Sequence, residues 1–422
     1  MRRPKEQLYA GVDVGTTKVA TVVARVASTG MEVVALGHAP ASGMRKGLVV
    51  DAAALTDSTR RSVADAAAAL GRRLPPAYVS VTGAHLASVN TGASITRASG
   101  PSRPRAFTQA DTDQLVASSV PEMGASRVLL HAVPRRFEVD GHSPVHDPVG
   151  VCGETLAAET HVVSGDRVAV AELASAVRDA GVKVRGMVLQ HLASASAVLS
   201  VDEREQGVVL LDVGGGTTDI AVFEDRALRH TSAIPVGGQQ FTSDLAVGLG
   251  IPPEVAERVK LACGSADLDR AEARVEVAGI QEGGSQLVSR RRAYELLRDR
   301  SVELVHLVLQ RVREAGLDRM PAAGLVLTGG ASKLGVLSDA AARYGMCPVR
   351  VAAPSSSLTL PAELEDASFS TVVGLVLWAV QHQRAGTARM TAGSIPIGTP
   401  LREWARRLAS GLHLRWPQRA PA

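Results

Sequence analysis

One turn occurs twice in this chain, half its length apart, and it restricts the possible folds more than any other feature. Residues 11–23 read GVDVGTTKVATVV, and residues 210–223 read LLDVGGGTTDIAVF. In both stretches an apolar strand ends in Asp-x-Gly, two threonines follow, and a second apolar strand begins. The two aspartates, Asp13 and Asp212, are 199 positions apart. Because strand, tight turn and strand predict a β-hairpin, we expect two similar units that each open with the same hairpin.

The segments that follow each hairpin support this duplication. Residues 51–71 have helical periodicity, with Asp51 as the expected N-cap and Gly71 near the helix end. Strand-like and helix-like segments alternate in both halves of the chain, which predicts α/β layering. An opening hairpin adds antiparallel pairs, so the sheets should be mixed. A length of 422 residues favours two or more domains over one core.

Composition excludes several other classes of protein. Apolar residues make up 45% of the chain and charged residues 21%, as in globular rather than disordered proteins. Three scattered cysteines without a C-x-x-C motif argue against a disulfide framework or a zinc site, and they favour a reducing cytoplasm. No apolar signal core precedes the first strand, and no window approaches 18 uncharged apolar residues. Neither a secretory signal nor a membrane-spanning helix is therefore expected.

The residue types in the two turns are those of a phosphate-binding loop. Glycine lets the backbone approach a ligand without a Cβ, and turn N–H groups with threonine hydroxyls form an anion-binding concavity. An aspartate beside a polyphosphate requires a cation between them, and Mg²⁺ suits few carboxylates and several waters. A single turn of this kind could equally be an ordinary hairpin. The duplication, together with a third turn LTGGASK at 327–333, favours a nucleotide clamp in which Asp13 and Asp212 hold Mg²⁺, directly or through water.

Positive charge is concentrated at the C-terminal end. Residues 401–422 carry five arginines and one glutamate, which accounts for the whole net charge of +4, so the rest of the chain is neutral. This distribution weakens any case for general nucleic-acid binding. The preceding residues, 384–400, have the composition of a linker.

The tail itself, residues 401–416, has the pattern of an amphipathic helix. Aromatic and aliphatic residues on one face with arginines on the other predict a helix that lies in the membrane interface. A helix packed on the protein's own surface would show the same apolar residues, and Gly411 and Pro417 limit its length. The apolar face consists of Leu401, Trp404, Leu408 and Leu412, and the charged face contains Arg402, Arg406 and Arg407.

Several of these motifs, taken in order, resemble a known superfamily. The set DVGTTK, LASASAVL, DVGGGTTDIAVF, PVGGQQFTSDLA and LTGGASKL resembles the actin-like ATPases, which include actin, sugar kinases and heat-shock chaperones. Within that superfamily the chain is most similar to the FtsA family of bacterial cell-division proteins. The stretches VSVTGAHLASVNTGASI and RVLLHAVPRRFEVDG resemble the extra subdomain of that family, and the basic tail agrees with it.

The resemblance implies ATP and Mg²⁺ as cofactors and a set of contacts around them. The first phosphate loop would consist of Asp13, Gly15, Thr16, Thr17 and Lys18, and the second of Asp212, Gly214, Gly215, Gly216, Thr217 and Thr218. Around the rest of the nucleotide would lie Gly237 and Gly238, then Glu257 and Lys260 at the adenosine, and Gly329, Gly330 and Ser332 closing over it.

Two residues are expected to act in catalysis, Gln190 and the metal-holding Asp212. Gln190 stands where superfamily members place a Gln or Glu that orients the attacking water, although a polar residue at a strand end can also simply be solvated. His191 occupies a position where many relatives have proline. Asp219 is interpreted as a structural residue. The resemblance implies a weak Mg-dependent ATPase at most, with nucleotide binding as the primary property.

The implied fold is α/β: duplicated actin-like, ribonuclease H-like domains with mixed sheets flanked by helices around a nucleotide cleft, plus an inserted small α+β subdomain. The predicted bounds are 1–84 and 164–206 for the first domain, 85–163 for the insertion, 207–239 and 319–383 for the second domain, 240–318 for its upper subdomain, 384–400 for a linker and 401–416 for the membrane helix.

The implied function is a scaffold of cell division at the cytoplasmic face of the membrane. Its expected partners are the C-terminal peptide of FtsZ, further copies of itself as a homopolymer, anionic membrane lipids and later division proteins, with no nucleic acid. A pilus-assembly actin homologue and a small-metabolite kinase remain alternatives. The tail and the stretch HAVPRRFEVDG argue against both.

Overall fold

The computed structural model describes residues 7–27, 30–97, 105–264, 274–278, 285–354 and 360–384. The predicted linker, 384–400, lies outside these residues apart from its first position, and the predicted tail helix, 401–416, lies outside them entirely. The strands are β1 (Gln7–Val14), β2 (Lys18–Ala27), β3 (Gly30–Pro40), β4 (Met44–Arg45), β5 (Leu48–Val49), β6 (Ala77–Val81), β7 (Ala87–Thr96), β8 (Arg127–Val139), β9 (Thr155–Asp166), β10 (Val184–Leu189), β11 (Val208–Val213), β12 (Thr218–Glu224), β13 (Ala227–Ile234), β14 (Arg274–Ala278), β15 (Ser285–Ser289), β16 (Leu325–Thr328) and β17 (Val349–Val351).

Helices alternate with these strands along the chain. The α-helices are α1 (Ala52–Leu70), α2 (Gln109–Ser118), α3 (Arg167–Asp179), α4 (Gln190–Val198), α5 (Val201–Gln206), α6 (Gly238–Leu249), α7 (Pro253–Cys263), α8 (Arg290–Glu314), α9 (Gly335–Gly345) and α10 (Ser370–Arg384). Short 3₁₀ helices cover Gly330–Lys333, Ala362–Glu365 and Ala367–Phe369. Within the described ranges no helix is both long enough and apolar enough to cross a membrane.

Two five-stranded sheets repeat one topology. The first has the order β10-β6-β1-β2-β3 and the second the order β13-β12-β11-β16-β17. In each, three antiparallel strands follow one another along the chain, and the first of them also pairs in parallel with a later strand. We call the first sheet with α1, α3 and α10 the first lobe, and the second sheet with α6, α7, α8 and α9 the second lobe. This duplication and the mixed sheets confirm the predicted fold class.

Two helices lie between the sheets and join the lobes. Helix α10 packs against β1, β2 and β6, whereas α4 packs against α10, β11 and β12. The two helices cross where Gly374 meets Ala193, because a Cβ on Gly374 would lie 1.8 Å from the Ala193 carbonyl oxygen. One apolar core, which includes Val12, Leu192 and Leu375, therefore extends from the first sheet to one face of the second.

A separate unit is inserted between β6 and α3. It consists of the three-stranded sheet β7-β9-β8 and helix α2, and it has a core of its own around Phe107, Leu115 and Leu156. Its strand β7 approaches β13 of the second lobe, where the Ser88 hydroxyl donates to the Thr231 carbonyl at 2.9 Å. An inserted α+β unit was predicted here, while the exact domain bounds stay a prediction.

Candidate functional site

The two repeated turns have the same geometry. In the first, the Gly15 amide donates to the Lys18 carbonyl at 3.0 Å, and in the second the Gly214 amide donates to the Thr217 carbonyl at 2.9 Å. Each turn thus connects two antiparallel strands, β1 with β2 and β11 with β12. We call residues 15–18 the first loop and residues 214–217 the second loop.

The two loops touch across a narrow cavity of about 70 Å³. A Cβ on Gly215 would lie 2.5 Å from Thr17 Cγ2, and a Cβ on Gly216 would lie 2.6 Å from Thr16 Oγ1. Only glycine permits so close an approach of the backbone. The predicted site residues that line the cavity are Asp13, Gly15, Thr16, Thr17, Lys18, Gln190, Asp212, Gly214, Gly215, Gly216, Thr217, Gly329 and Gly330.

Six further residues line the cavity that the sequence interpretation did not assign to it. Met44 and Gly47 come from the small β4–β5 hairpin. This hairpin contacts the second loop, as shown by the distance of 3.2 Å between Lys46 N and a Cβ built on Gly216. Val14 lies within the repeated turn and Thr82 within the stretch VSVTGAH, whereas the other four had no signal in the sequence. The six are Val14, Met44, Gly47, Thr82, Ser368 and Thr371.

Both aspartates of the repeated turn are buried at the cavity wall and held by hydroxyl groups. The Ser80 hydroxyl donates to Asp13 Oδ1 at 2.7 Å. The Ser194 hydroxyl donates to Asp212 Oδ2, and the Thr371 hydroxyl donates to the same oxygen at 3.1 Å. These bonds fix one oxygen of each carboxylate.

Burial dominates the electrostatics of this pair. It raises the pKa of Asp13 above its ordinary value, against the Ser80 hydrogen bond that lowers it. Burial, against the hydrogen bonds from Ser194 and Thr371 and together with the nearby carboxylates of Asp219 and Asp13, raises the pKa of Asp212 to about 7. A cation between the two would favour their charged forms. Among the described residues no group of three or more His, Cys, Asp or Glu could hold a metal, so an ion here would need oxygen ligands from water or a bound molecule.

Lys18 is held at the edge of the cavity. Its ammonium group donates to the carbonyl of Ser368 at 2.9 Å and to the hydroxyl of Ser368 at 3.0 Å. The same group lies 3.1 Å from the centre of the Phe369 ring. Burial lowers the pKa of Lys18 to about 8, with Asp13 acting in the opposite direction.

Gln190 begins helix α4 at the cavity wall and is 8% exposed. The next residue, His191, is buried beneath it with Nδ1 3.9 Å from Asp219 Oδ1. The end of strand β10 thus presents a polar side chain to the cavity, as the sequence predicted, and directs the following one into the protein.

Six predicted site residues do not line the cavity. Lys260 donates to Glu257 at 2.7 Å, to the Thr242 hydroxyl at 3.0 Å and to the Gly238 carbonyl at 3.2 Å, so this group forms one cluster on α6 and α7. The Gly238 amide in turn donates to the Gly214 carbonyl at 2.9 Å, which links the cluster to the second loop. The six are Thr218, Gly237, Gly238, Glu257, Lys260 and Ser332.

In two of these six residues the side-chain hydroxyl donates to a backbone carbonyl. The Thr218 hydroxyl donates to the Val236 carbonyl at 2.8 Å, and the Ser332 hydroxyl donates to the Gly329 carbonyl at 2.7 Å. Both residues are fully buried. In this arrangement they shape the turns behind the cavity.

Duplicated mixed sheets around a cleft with a hairpin turn from each side define an actin-like ATPase fold. Solved structures agree. A PilM–PilN type IV pilus biogenesis complex matches with a TM-score of 0.63 at 17% identity over 88% of this chain and 98% of that chain. MreB5 of Spiroplasma citri bound to ADP matches with a TM-score of 0.51 at 14% identity over 90% of this chain and 98% of that chain. At such identities the likeness shows the fold alone.

Sequence comparison then gives the family. The family model described as "Cell division protein FtsA" matches residues 209–374, and "SHS2 domain inserted in FTSA" matches residues 83–164. The cell division protein FtsA of Pseudomonas aeruginosa is 33% identical, with 95% of this chain and 98% of that protein covered. FtsA of Escherichia coli is 32% identical, with 96% and 97% covered. The chain belongs to the FtsA family of cell division proteins, which confirms the resemblance noted from its motifs.

Proposed function

We propose that the protein binds ATP with Mg²⁺ and serves as an actin-like scaffold that polymerises at the inner face of the cytoplasmic membrane, tethers the FtsZ ring there and recruits later division proteins. The observation that carries the nucleotide part is the contact of two turns of the same geometry across one cavity, with a buried aspartate at the base of each. Membership of a cell-division family supports the rest.

The cavity walls suit a polyphosphate and a hard cation. Asp13 and Asp212 would hold Mg²⁺, directly or through water, and the ion when bound would neutralise phosphate charge. The glycines of the second loop let phosphate oxygens approach backbone amides. Two solved structures of MreB5, which has the same fold, are bound to ADP and to AMPPNP, and this supports a nucleotide here.

In this proposal Gln190 positions water and the Lys260–Glu257 cluster lies on the adenosine side. Gln190 faces the same cavity as both aspartates, so a water could reach it and the terminal phosphate together. The Lys260 cluster is joined to the second loop through Gly238, which supports its place next to the nucleotide. Nucleotide binding, more than hydrolysis, is the property on which assembly would depend.

Nucleotide binding and its role in assembly are tested by sedimentation. The full chain is spun with anionic vesicles with and without ATP–Mg²⁺, and the same is done with Asp212→Asn. We expect ATP–Mg²⁺ to increase the protein that pellets with vesicles, and the variant to lose most of that increase. Transfer of phosphate to a small metabolite, with no effect of lipid, would instead show a kinase.

The membrane part of the proposal rests on the sequence of the tail. A chain ending at residue 400 should remain soluble and stop floating with vesicles that contain anionic lipids, because the Trp and Leu face and the arginines are gone. Trp404→Glu should act like the truncation, whereas Glu403→Gln on the charged face should not weaken flotation. Equal flotation of the full and truncated chains would refute lipid binding by the tail.

The partner of the upper part of the second lobe is proposed to be the C-terminal peptide of FtsZ. Helix α8 begins with Arg290, Arg291 and Arg292, and the last two pair with Glu295 on the same helix. An acidic peptide could compete for these exposed arginines. Fluorescence anisotropy with a labelled peptide, with Arg291→Glu against Arg319→Glu as a control on a distant loop, would measure the contribution.

A further inference from the structure

The second hairpin carries a second buried aspartate beside Asp212. Asp212 on β11 and Asp219 on β12 are direct cross-strand partners. Asp219 is fully buried and does not line the cavity. Its Oδ2 accepts a hydrogen bond of 3.3 Å from the Thr217 hydroxyl, within its own hairpin.

The other oxygen of Asp219 is held from the first lobe. Thr82 directly follows β6, a strand of the first sheet, and its hydroxyl donates to Asp219 Oδ1. Thr82 and Thr217 both line the cavity, so Asp219 connects two of its walls from behind. Thr371 of α10 makes a similar bond to Asp212, so first-lobe hydroxyls hold both carboxylates of the pair.

The cavity lies between the two lobes and is lined by residues of both. The two loops are already in van der Waals contact through Thr17 and Gly215. Entry and exit of a nucleotide therefore require the lobes to separate, and bonds that cross between them must break.

Because the Asp219 carboxylate is buried, its hydrogen bond from Thr82 has a large effect on the stability of the closed lobes. Hydrogen bonds to a charged acceptor contribute more than neutral ones, and a carboxylate that loses its donor while still buried is costly. His191 closes the same site from α4, with its Nδ1 3.9 Å from Asp219 Oδ1, and neither of its ring nitrogens makes a hydrogen bond among the residues described. The surroundings of Asp219 thus favour the closed lobes.

We propose that Thr82 and Asp219 form a latch between the lobes that holds the cleft closed and slows nucleotide release. The latch rests on the proposed nucleotide binding for its functional effect, but not for its existence. Thr82 is a positioning residue in this scheme, because its hydroxyl acts through Asp219. The bond across the lobes must open before a nucleotide can leave.

The first test measures release of a fluorescent ADP analogue by stopped flow. Thr82→Val keeps the branched shape and removes the hydroxyl, and release should become roughly five- to twentyfold faster. Thr82→Ser restores the hydroxyl and should stay near the parent rate. Thr56→Val removes another buried hydroxyl, one that bonds to Ala176 inside the first lobe, and should leave the release rate unchanged.

A double-mutant cycle separates the latch from a direct contact of Thr82 with the nucleotide. Asp219 is not among the residues that line the cavity, so we expect Asp219→Ala to speed release through the loss of its bond to Thr82. If the latch is correct, Thr82→Val adds little to Asp219→Ala. Independent, additive effects of the two changes would overturn it.

Hydrogen exchange on the nucleotide-free protein tests whether the latch exists, independently of nucleotide binding. Amides of residues 15–18 and 214–217 should exchange faster in Thr82→Val than in the parent or in Thr56→Val, because separated lobes expose them. Unchanged exchange in both loops would refute the latch. A parent protein that binds no nucleotide would refute the proposed function instead, and the exchange measurement would still stand.

Discussion

At the scale of single residues, Asp212 should make the stability of the protein depend on pH in an unusual direction. Burial raises its pKa to about 7 from an ordinary value of 3.8. The folded chain therefore keeps a proton that the unfolded chain releases, and the free energy of unfolding falls as pH rises from about 4 to 7. Asp212→Asn removes this titration. The free energy of unfolding of this variant, relative to the parent, should rise by about 1 kcal/mol per pH unit from pH 4 to 7 and then level off.

Urea denaturation of the parent and of Asp212→Asn at several pH values measures this difference in the free energy of unfolding. Asp140→Asn is the control of opposite sign. Asp140 accepts bonds from the Glu154 and Thr155 amides, and these lower its pKa, so its contribution is present above pH 4 and lost as pH falls. A constant difference between Asp212→Asn and the parent from pH 4 to 8 would contradict the raised pKa.

The residue types of the two turns could be predicted from the sequence, but the hydroxyl groups that hold the two aspartates could not. Asp13 and Asp212 stand in a repeated pattern that a reader of the chain can see. Ser80, Ser194 and Thr371, which hold their carboxylates, are common residues in apolar segments, and Thr371 is 159 positions from Asp212. Ser194 and Thr371 meet Asp212 because helices α4 and α10 cross beside it, and that crossing has no local signal.

At the scale of elements, the crossing of α4 and α10 should be the helix contact that tolerates an added methyl group least. A Cβ on Gly374 would lie 1.8 Å from the Ala193 carbonyl oxygen, a backbone atom that cannot move alone. Gly374→Ala should lower the free energy of unfolding by about 3 kcal/mol or leave no soluble protein, since overpacking costs exceed the gain in helix propensity.

Gly248→Ala is the matched control, also inside a helix. The three atoms nearest to its Cβ would all belong to the side chain of Leu296, which can rotate away. Thermal unfolding should show a small change of either sign for Gly248→Ala. Similar melting temperatures for the two variants would mean that α4 and α10 can move apart easily.

Local signals predicted the elements well where a cap or a repeat marked them. Asp51 caps α1 by accepting from the Ala54 amide at 3.0 Å, and Gly71 ends it in a left-handed conformation, as the sequence indicated. Both hairpins formed as read. The β4–β5 hairpin was not predicted, because two-residue strands leave no periodicity, although it supplies Met44 and Gly47 to the cavity.

At the scale of the whole molecule, His161 should make the joint between the inserted unit and the second lobe sensitive to acid. On β9, its ring contacts Asn90 at 2.6 Å and Thr231 of β13 at 3.0 Å. Burial lowers its pKa to about 3, and nearby His230 and His191 act in the same direction. The unfolded chain takes up a proton below about pH 6.5 and the folded chain does not, so this stability is present above pH 6.5 and lost below it.

His161→Gln should therefore reduce the loss of stability between pH 6.5 and 5 by on the order of 1 kcal/mol. Denaturation curves at the two pH values give the difference, and comparison with the parent cancels the opposite effect of Asp212. His146→Gln, in an exposed turn, controls for the loss of a histidine. An unchanged acid response in His161→Gln would show that the joint opens before the ring is protonated.

The arrangement of the lobes was predicted from the duplication, and the packing between them was not. A repeated hairpin implies a repeated sheet, which the equivalent strand orders confirm. Helix α10 is an apolar stretch of the sequence, but nothing in that stretch indicates that it lies between the sheets. Long-range placement of this kind depends on shape complementarity, as at Gly11, where a Cβ would lie 2.7 Å from Leu375 Cβ.

The position of α10 has a consequence for synthesis of the chain. The helix that completes the core around β1 is encoded near the other end of the sequence, with Gly11 against Leu375 and Lys18 bonded to Ser368. As the chain leaves the ribosome, the inserted unit, with its own core, can form early. The first sheet must wait, one apolar face uncovered, until residues 370–384 have been synthesised, so a holding chaperone would have its longest task there.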